Sequence, residues 1–301
     1  MAQASIPVDL FNPGQVFACL GFLEAVDQLL GGARGGFGWS SPEGERFYLS
    51  ANGDANPVQA VLECLASARV FSVIPDGVEL STEKWNVAIR TLGADEPFPM
   101  RLPESPEKLP ALIECDSRSE SVVSLLVDYW GDSTSATGRD NVKFWAGSGG
   151  LPGAARLSGA LDLVREVLTS SGADPFSVSS PQSNSFRFDW RRDYIPIDAG
   201  FSPNDHKGAI SMVGFPIVEI MAAIGLSNAR PKSSIGTKFE YRYSVIEIDD
   251  SDHVFEPLFL RAALGGADCG FPKRDFVMLL AKPGKQSKDR CITKVIEETR
   301  E

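Results

Sequence analysis

Residues 12–30, NPGQVFACLGFLEAVDQLL, constrain the fold more than any other stretch. Asn12 fits an N-cap, Pro13 fits the first helical position, and Gln15 stands three residues after the cap, as in a capping box. Gly31 and Gly32 end the helix. Val16, Phe17, Cys19, Leu20, Phe22, Leu23, Val26, Leu29 and Leu30 place apolar groups on nearly every face. A helix of that kind has to be buried. Ala18-Cys19-Leu20-Gly21-Phe22 is echoed by Ala222-Ala223-Ile224-Gly225-Leu226 in a second apolar helix expected over about 215–226. Glycine inside a helix costs about 1 kcal/mol against alanine and is tolerated where another backbone comes close. Both helices are therefore expected at the centre of the core.

The other elements read as follows. A hairpin is expected over 35–51 around Pro42-Glu43-Gly44, and helices over 57–68 and 152–170. Strands are expected at 69–75, 77–80, 110–115, 121–130, in FRFDW from 186, at 238–248 and at 274–282, with a short helix at 255–264. Residues 93–110 carry five prolines and read as irregular loop. The fold class is α+β: a mixed or antiparallel sheet with buried glycine-containing helices. The Gly/Ser/Thr-rich stretch 131–153 marks a boundary between two lobes, 1–140 and 141–301.

Charge divides along the same line. The formal net charge is −11. Residues 1–140 hold 9 Lys+Arg and 20 Asp+Glu, and residues 141–301 hold 20 of each. A protein that grips nucleic acid unaided is usually basic. Any such contact is therefore expected from a local patch in the second half or beside more basic partners. Residues 273–301 hold eight basic and five acidic groups and read as a solvated tail with one apolar segment. The five cysteines are widely spaced with no CxxC, which predicts reduced core thiols in a cytoplasmic protein. MAQASIPVDLF has no basic and long apolar signal regions, and no run approaches the ~20 apolar residues of a membrane span.

Catalytic patterns are missing. His206 and His253 stand outside any metal-binding motif, and Asp249, Asp250 and Asp252 do not follow a calcium loop. GSGG at 147–150 lacks the Lys-Ser/Thr ending of a phosphate loop and reads as a connector. No cofactor and no metal are predicted. The chemistry-bearing run is 186–194, FRFDWRRDY. Arg187, Arg191 and Arg192 offer forked donors suited to phosphates. Trp190 and Tyr194 offer faces for base stacking. Lys207, Arg230, Lys232 and Lys238 are candidates to extend the patch. Equally, Asp189, Asp193 and Asp198 can hold these arginines in an internal ion-pair network.

The blocks IPVDLFNPGQVFACLGFLEAVD and FRFDWRRDYIPIDAGFSPN…MVGFPIVEIMAAIGLSNARP resemble the small Cas-eight-like subunit of type I-U (I-G) CRISPR Cascade effector complexes. The resemblance implies a non-catalytic subunit that helps hold the crRNA handle, read the motif flanking the target DNA and recruit the helicase–nuclease. Its partners would be crRNA, target DNA, other Cascade subunits and the helicase–nuclease, with no membrane. In such complexes base pairing reads the sequence while protein reads the flanking duplex and the backbone. Two other classes stay open: a stand-alone enzyme acting on a phosphate-bearing substrate, and a pure protein–protein scaffold.

Overall fold

The apolar helices impose their geometry on everything around them. The structure, a computed structural model, describes residues 1–93, 95–97, 109–116, 122–129, 132–133, 141–142, 152–168, 174–181, 186–189, 213–234, 237, 239–248, 254–281 and 291–298. Helix α1 (Pro13–Leu30) is buried continuously from Pro13 to Val26. The other helices are α2 (Pro57–Ser67), α3 (Gly153–Leu168), α4 (Pro216–Asn228) and α5 (Pro257–Leu264). Helix α4 is buried from Pro216 to Leu226.

Helices α1 and α4 touch through their glycines. A Cβ on Gly21 would fall inside the van der Waals radius of the Met221 carbonyl. A Cβ on Gly225 would do the same at the carbonyl of Phe17. The relation is reciprocal, because Phe17 is four residues before Gly21 and Met221 four before Gly225. The glycines expected to accept another backbone therefore accept each other's helices.

Three sheets surround this pair. β1 (Ala2–Pro7), β2 (Arg34–Gly38) and β3 (Arg46–Ala51) form an antiparallel sheet in the order β1-β3-β2. The β2–β3 pair is the expected hairpin. β4 (Arg69–Ile74), β5 (Ala88–Thr91), β6 (Ala111–Asp116) and β7 (Val122–Val127) form a sheet in the order β5-β4-β6-β7. It is mixed, because β4 runs parallel to β5 and antiparallel to β6. Two-residue ladders join β8 (Asp132–Ser133) to β9 (Asn141–Val142) and β10 (Ser180–Pro181) to β11 (Val213–Gly214). β12 (Lys232–Ser233), β13 (Glu240–Ile246), β14 (Lys273–Ala281) and β15 (Cys291–Glu298) complete an antiparallel sheet in that order. The α+β class holds. No described helix is long and apolar enough to cross a membrane.

One hydrophobic cluster collects side chains from Ile6 to Ile292, with Phe17, Phe22, Phe176, Tyr243 and Phe276 among its largest. Arg274 pins its edge. Its guanidinium holds both Glu297 oxygens at 2.6 and 2.9 Å and Glu45 at 2.5 Å. The neighbouring guanidinium holds the Glu297 carboxyl below its ordinary range. Glu45 also accepts the Leu10 N–H at 2.9 Å, which joins the turn before α1 to the third sheet.

Four expectations fail here for identifiable reasons. Residues 77–80 contain no strand; the edge is filled by β5, which pairs in parallel with β4 and so needed a connection that local pattern does not reveal. The described part of FRFDW, residues 186–189, has no strand conformation. Residues 291–298 are a paired strand rather than solvated tail, because Ile292 reaches the core. Cys64 and Cys115 are joined in a disulfide rather than reduced. Packing of α2 on β6 brings their Cα atoms to 5.3 Å, within bridging reach, and spacing along the chain carries no trace of that.

Two measurements probe this framework. Gly21→Ala and Gly225→Ala should each destabilise the protein by about 2 kcal/mol or more in urea unfolding, although helix propensity alone predicts a gain. The disulfide closes a separation of 51 residues. Its joint removal (Cys64→Ala with Cys115→Ala) should lower stability by up to about 4 kcal/mol by the same assay.

Candidate nucleic-acid interface

The basic–aromatic run begins on a polar anchor between the two central helices. Phe186 and Phe188 are buried, with ring centroids 5.7 Å apart. Phe188 lies so close to the start of α1 that a Cβ on Gly14 would overlap its carbonyl. Asp189, 2% exposed, accepts a 3.0 Å hydrogen bond from Asn12 Nδ2, and Asn12 is fully buried. The Phe188 and Asp189 N–H groups both donate to Glu219 Oε1, at 3.0 and 3.1 Å. Glu219 sits in the first turn of α4, where the helix dipole favours a carboxylate.

Arg187 lies between the two phenylalanines with φ +63°, a left-handed conformation that only a small minority of non-glycine residues adopt. A left-handed residue lets consecutive N–H groups converge on one anion. Here the converging pair follows Arg187, and the anion is Glu219. The strain at Arg187 thus accompanies satisfaction of two buried backbone donors. Its side chain is half-buried.

Asn12 takes the expected N-cap position with Pro13 after it, but the side chains of Asn12 and Gln15 bond elsewhere than in a capping box. The Asn12 side chain makes no cap hydrogen bond. Gln15 Oε1 accepts from the Asp9 N–H at 2.8 Å rather than from residue 12. Because this helix end is itself buried, Asn12 serves a buried carboxylate instead. The Tyr243 hydroxyl fixes the same turn by donating to the Leu10 carbonyl at 2.8 Å. Burial raises the Tyr243 hydroxyl pKa well above its ordinary value, which keeps it a donor.

The remaining candidates are distributed as follows. Trp190, Arg191, Arg192, Tyr194, Lys207 and Lys238 lie outside the described residues, as do His206, His253, Asp249, Asp250 and Asp252. Arg230 follows the C-terminal end of α4, whereas Arg187 is held near Glu219 at its start. The helix rises by roughly 13 Å from Glu219 to its last residue, Asn228, so the two arginines sit toward opposite ends of α4. Arg230 is exposed, stacks over Tyr129 at 4.4 Å and lies 3.9 Å from Asp128. Burial pushes the Asp128 carboxyl above its ordinary range, with Arg230 opposing that shift.

Lys232 is exposed on β12. It opens onto a cleft of about 480 Å³ lined also by Arg242, Ser244, Gly266, Lys273, Asp275 and Glu298. Sequence reasoning missed Arg242 and Lys273. Alternation along KFEYRYSVIEI puts Arg242 on the face opposite the buried tyrosines, but the register that sets it across from Lys232 is a tertiary fact. Among the described residues no group of three His, Cys, Asp or Glu side chains is placed to hold a metal ion. Comparison with protein-family models, curated proteins and solved structures finds no match.

Glu219→Ala should cost about 2–4 kcal/mol in chemical unfolding, since it orphans two buried N–H groups bonded to a charged acceptor. Glu219→Gln retains an acceptor oxygen and should cost less than half as much.

Proposed function

We propose that this chain is a non-catalytic subunit of a crRNA-guided CRISPR interference complex, contacting crRNA and target DNA through the run that starts at Arg187. One observation carries the reading. The two blocks that resemble the Cas-eight-like subunit are packed directly on each other: Asn12 on Asp189, Gly14 on Phe188, Gly21 on Met221 and Gly225 on Phe17. The described parts of the two blocks therefore pack as one unit, which holds Phe186 to Asp189, the start of the basic–aromatic run, at the ends of its helices. Loops held by a rigid scaffold are the usual carriers of binding residues.

In this reading Arg187, Arg191 and Arg192 meet phosphates, and Trp190 and Tyr194 pack or stack. The acidic residues 1–140 face more basic neighbouring subunits, and the helicase–nuclease is recruited by the assembly. No step of chemistry is assigned to the chain. A cytoplasmic location belongs to the same proposal. The Cys64–Cys115 bond is compatible with it because both residues are buried, which limits thiol access to the closed fold.

A scaffold is the second reading, and the ion pairs favour it. Arg90 pairs with Glu114, Arg261 with Glu24, and Arg274 with Glu45 and Glu297. The chain commonly employs arginine to fasten its own elements.

The combined substitution Arg187→Ala, Arg191→Ala, Arg192→Ala separates these readings once circular dichroism shows a folded chain. In the assembled complex, target-DNA affinity should fall. The slope of log K against log[salt] should flatten by about one for each phosphate that the variant no longer neutralises. Unchanged affinity with an unchanged slope assigns the run to the scaffold.

A further inference from the structure

We propose that the cleft between β12 and the 265–273 turn binds a phosphate oxyanion between Lys232 and Arg242, displacing Glu298 from Arg242. The site deepens the nucleic-acid reading, with which it shares Lys232, but its geometry stands apart from Arg187.

The register builds the cleft. Lys232 pairs with Arg242, Ser244 with Asp275, and Asp275 with Glu298. Directly opposed residues in antiparallel strands share a face, so all five point to one side of the sheet. Tyr241, Tyr243 and Val245 point to the other and enter the core.

The floor is closed and internally satisfied. The Lys273 side chain is 8% exposed, with Nζ 3.1 Å from Asp275 Oδ1. The Ser244 hydroxyl donates to Asp275 Oδ1 at 2.5 Å. These groups hold each other and give the cleft a fixed base.

The rim is different. Lys232 and Arg242 are like charges directly across a strand pair, an arrangement that destabilises a sheet unless an anion lies between or beside them. Glu298 supplies the closest anion, at Arg242; Glu240 Oε1 lies farther from Nη2, at 3.5 Å, and Ser234 Oγ accepts from Nη1 at 3.1 Å. The two Glu298 oxygens meet Arg242 Nε at 3.2 Å each, and Oε1 meets Nη2 at 3.0 Å. The Lys232 ammonium makes no hydrogen bond or ion pair with another described residue. The Arg242 and Glu298 side chains are 42% and 40% exposed, so their pair is a weak one in water. The fork that holds a carboxylate through two oxygens also holds a phosphate. A phosphate gains Lys232 as well, which Glu298 does not reach. Lys232, Arg242 and Lys273 against Asp275, Glu298 and Glu240 leave no net charge, and displacement of Glu298 leaves one net positive charge for the incoming phosphate.

The phosphate can come from a nucleic-acid backbone or from a free small anion, and the test separates the sources. The full chain is titrated with inorganic phosphate, followed by thermal shift, and with a fluorescent twelve-residue oligothymidylate, followed by anisotropy. Glu298→Ala should tighten binding several-fold, whereas Arg242→Ala and Lys232→Ala should each weaken it about tenfold. Arg242→Lys, which keeps charge and loses the fork, should fall between. The double variant Glu298→Ala, Arg242→Ala should show no gain. An exposed pair that merely braces the sheet would give Glu298→Ala no gain in affinity, and that result overturns the site. Wild-type affinity in Arg242→Ala does the same. A response to inorganic phosphate without one to oligothymidylate supports the site and removes Lys232 from the nucleic-acid surface. A response to both, alongside an inert Arg187/Arg191/Arg192 variant, supports the site and moves the nucleic-acid contact to this face.

Discussion

The contact between Gly21 and Met221, and its reciprocal between Gly225 and Phe17, sets the spacing of the molecule. Two helices whose backbones touch leave no layer of side chains between them. Their large residues are pushed outward on the remaining faces: Phe17 against Tyr243, and Phe22 against Phe176. That accounts for apolar residues nearly all round both helices. Each sheet and flanking helix packs on a central pair that is apolar wherever it is met.

Such a pair creates a problem at its ends. The first turns of both helices are inside the protein, where their backbone N–H groups and the connecting chain have little water to bond. The segment 186–189 answers part of that need. It brings a carboxylate to Asn12 and receives one from Glu219. The positive φ of Arg187 is the local cost of this exchange. The anchor at 186–189 thus belongs to the burial of two helix N-termini.

This explains what was legible in the sequence. The helices, the 35–51 hairpin and the role of the two glycines follow from local pattern, because each depends on residues within a turn or two. Asn12 is the N-cap residue as expected, but the capping-box bonds of Asn12 and Gln15 do not form, because local rules presume an exposed helix end. Phe186-Arg187-Phe188 alternates like a strand, yet the Phe188 and Asp189 N–H groups go to Glu219, about thirty residues away. The pairing of Lys232 with Arg242 and of Cys64 with Cys115 depends on register and packing, which no window along the chain contains. Arg187 was legible as a residue type in an unusual run; its strained backbone was not.

The arginines sort by what an incoming anion would have to displace. Arg261 holds Glu24, whose side chain is only 7% exposed, and breaking that pair would strand a buried charge. Arg274 is bonded to two carboxylates and flanked by the rings of Phe11, Trp39 and Phe276. Neither can take a ligand without disturbing the core edge. Arg242 faces Glu298 across a solvent-exposed pair, for which water already competes, whereas exposed Arg230 lies 3.9 Å from the more buried Asp128. Exchange of an internal carboxylate for an external phosphate would therefore disturb the core edge less at Arg242 than at Arg261 or Arg274. Acid concentrated in the first 140 residues leaves the face around Arg242 as the less repulsive one for a polyanion.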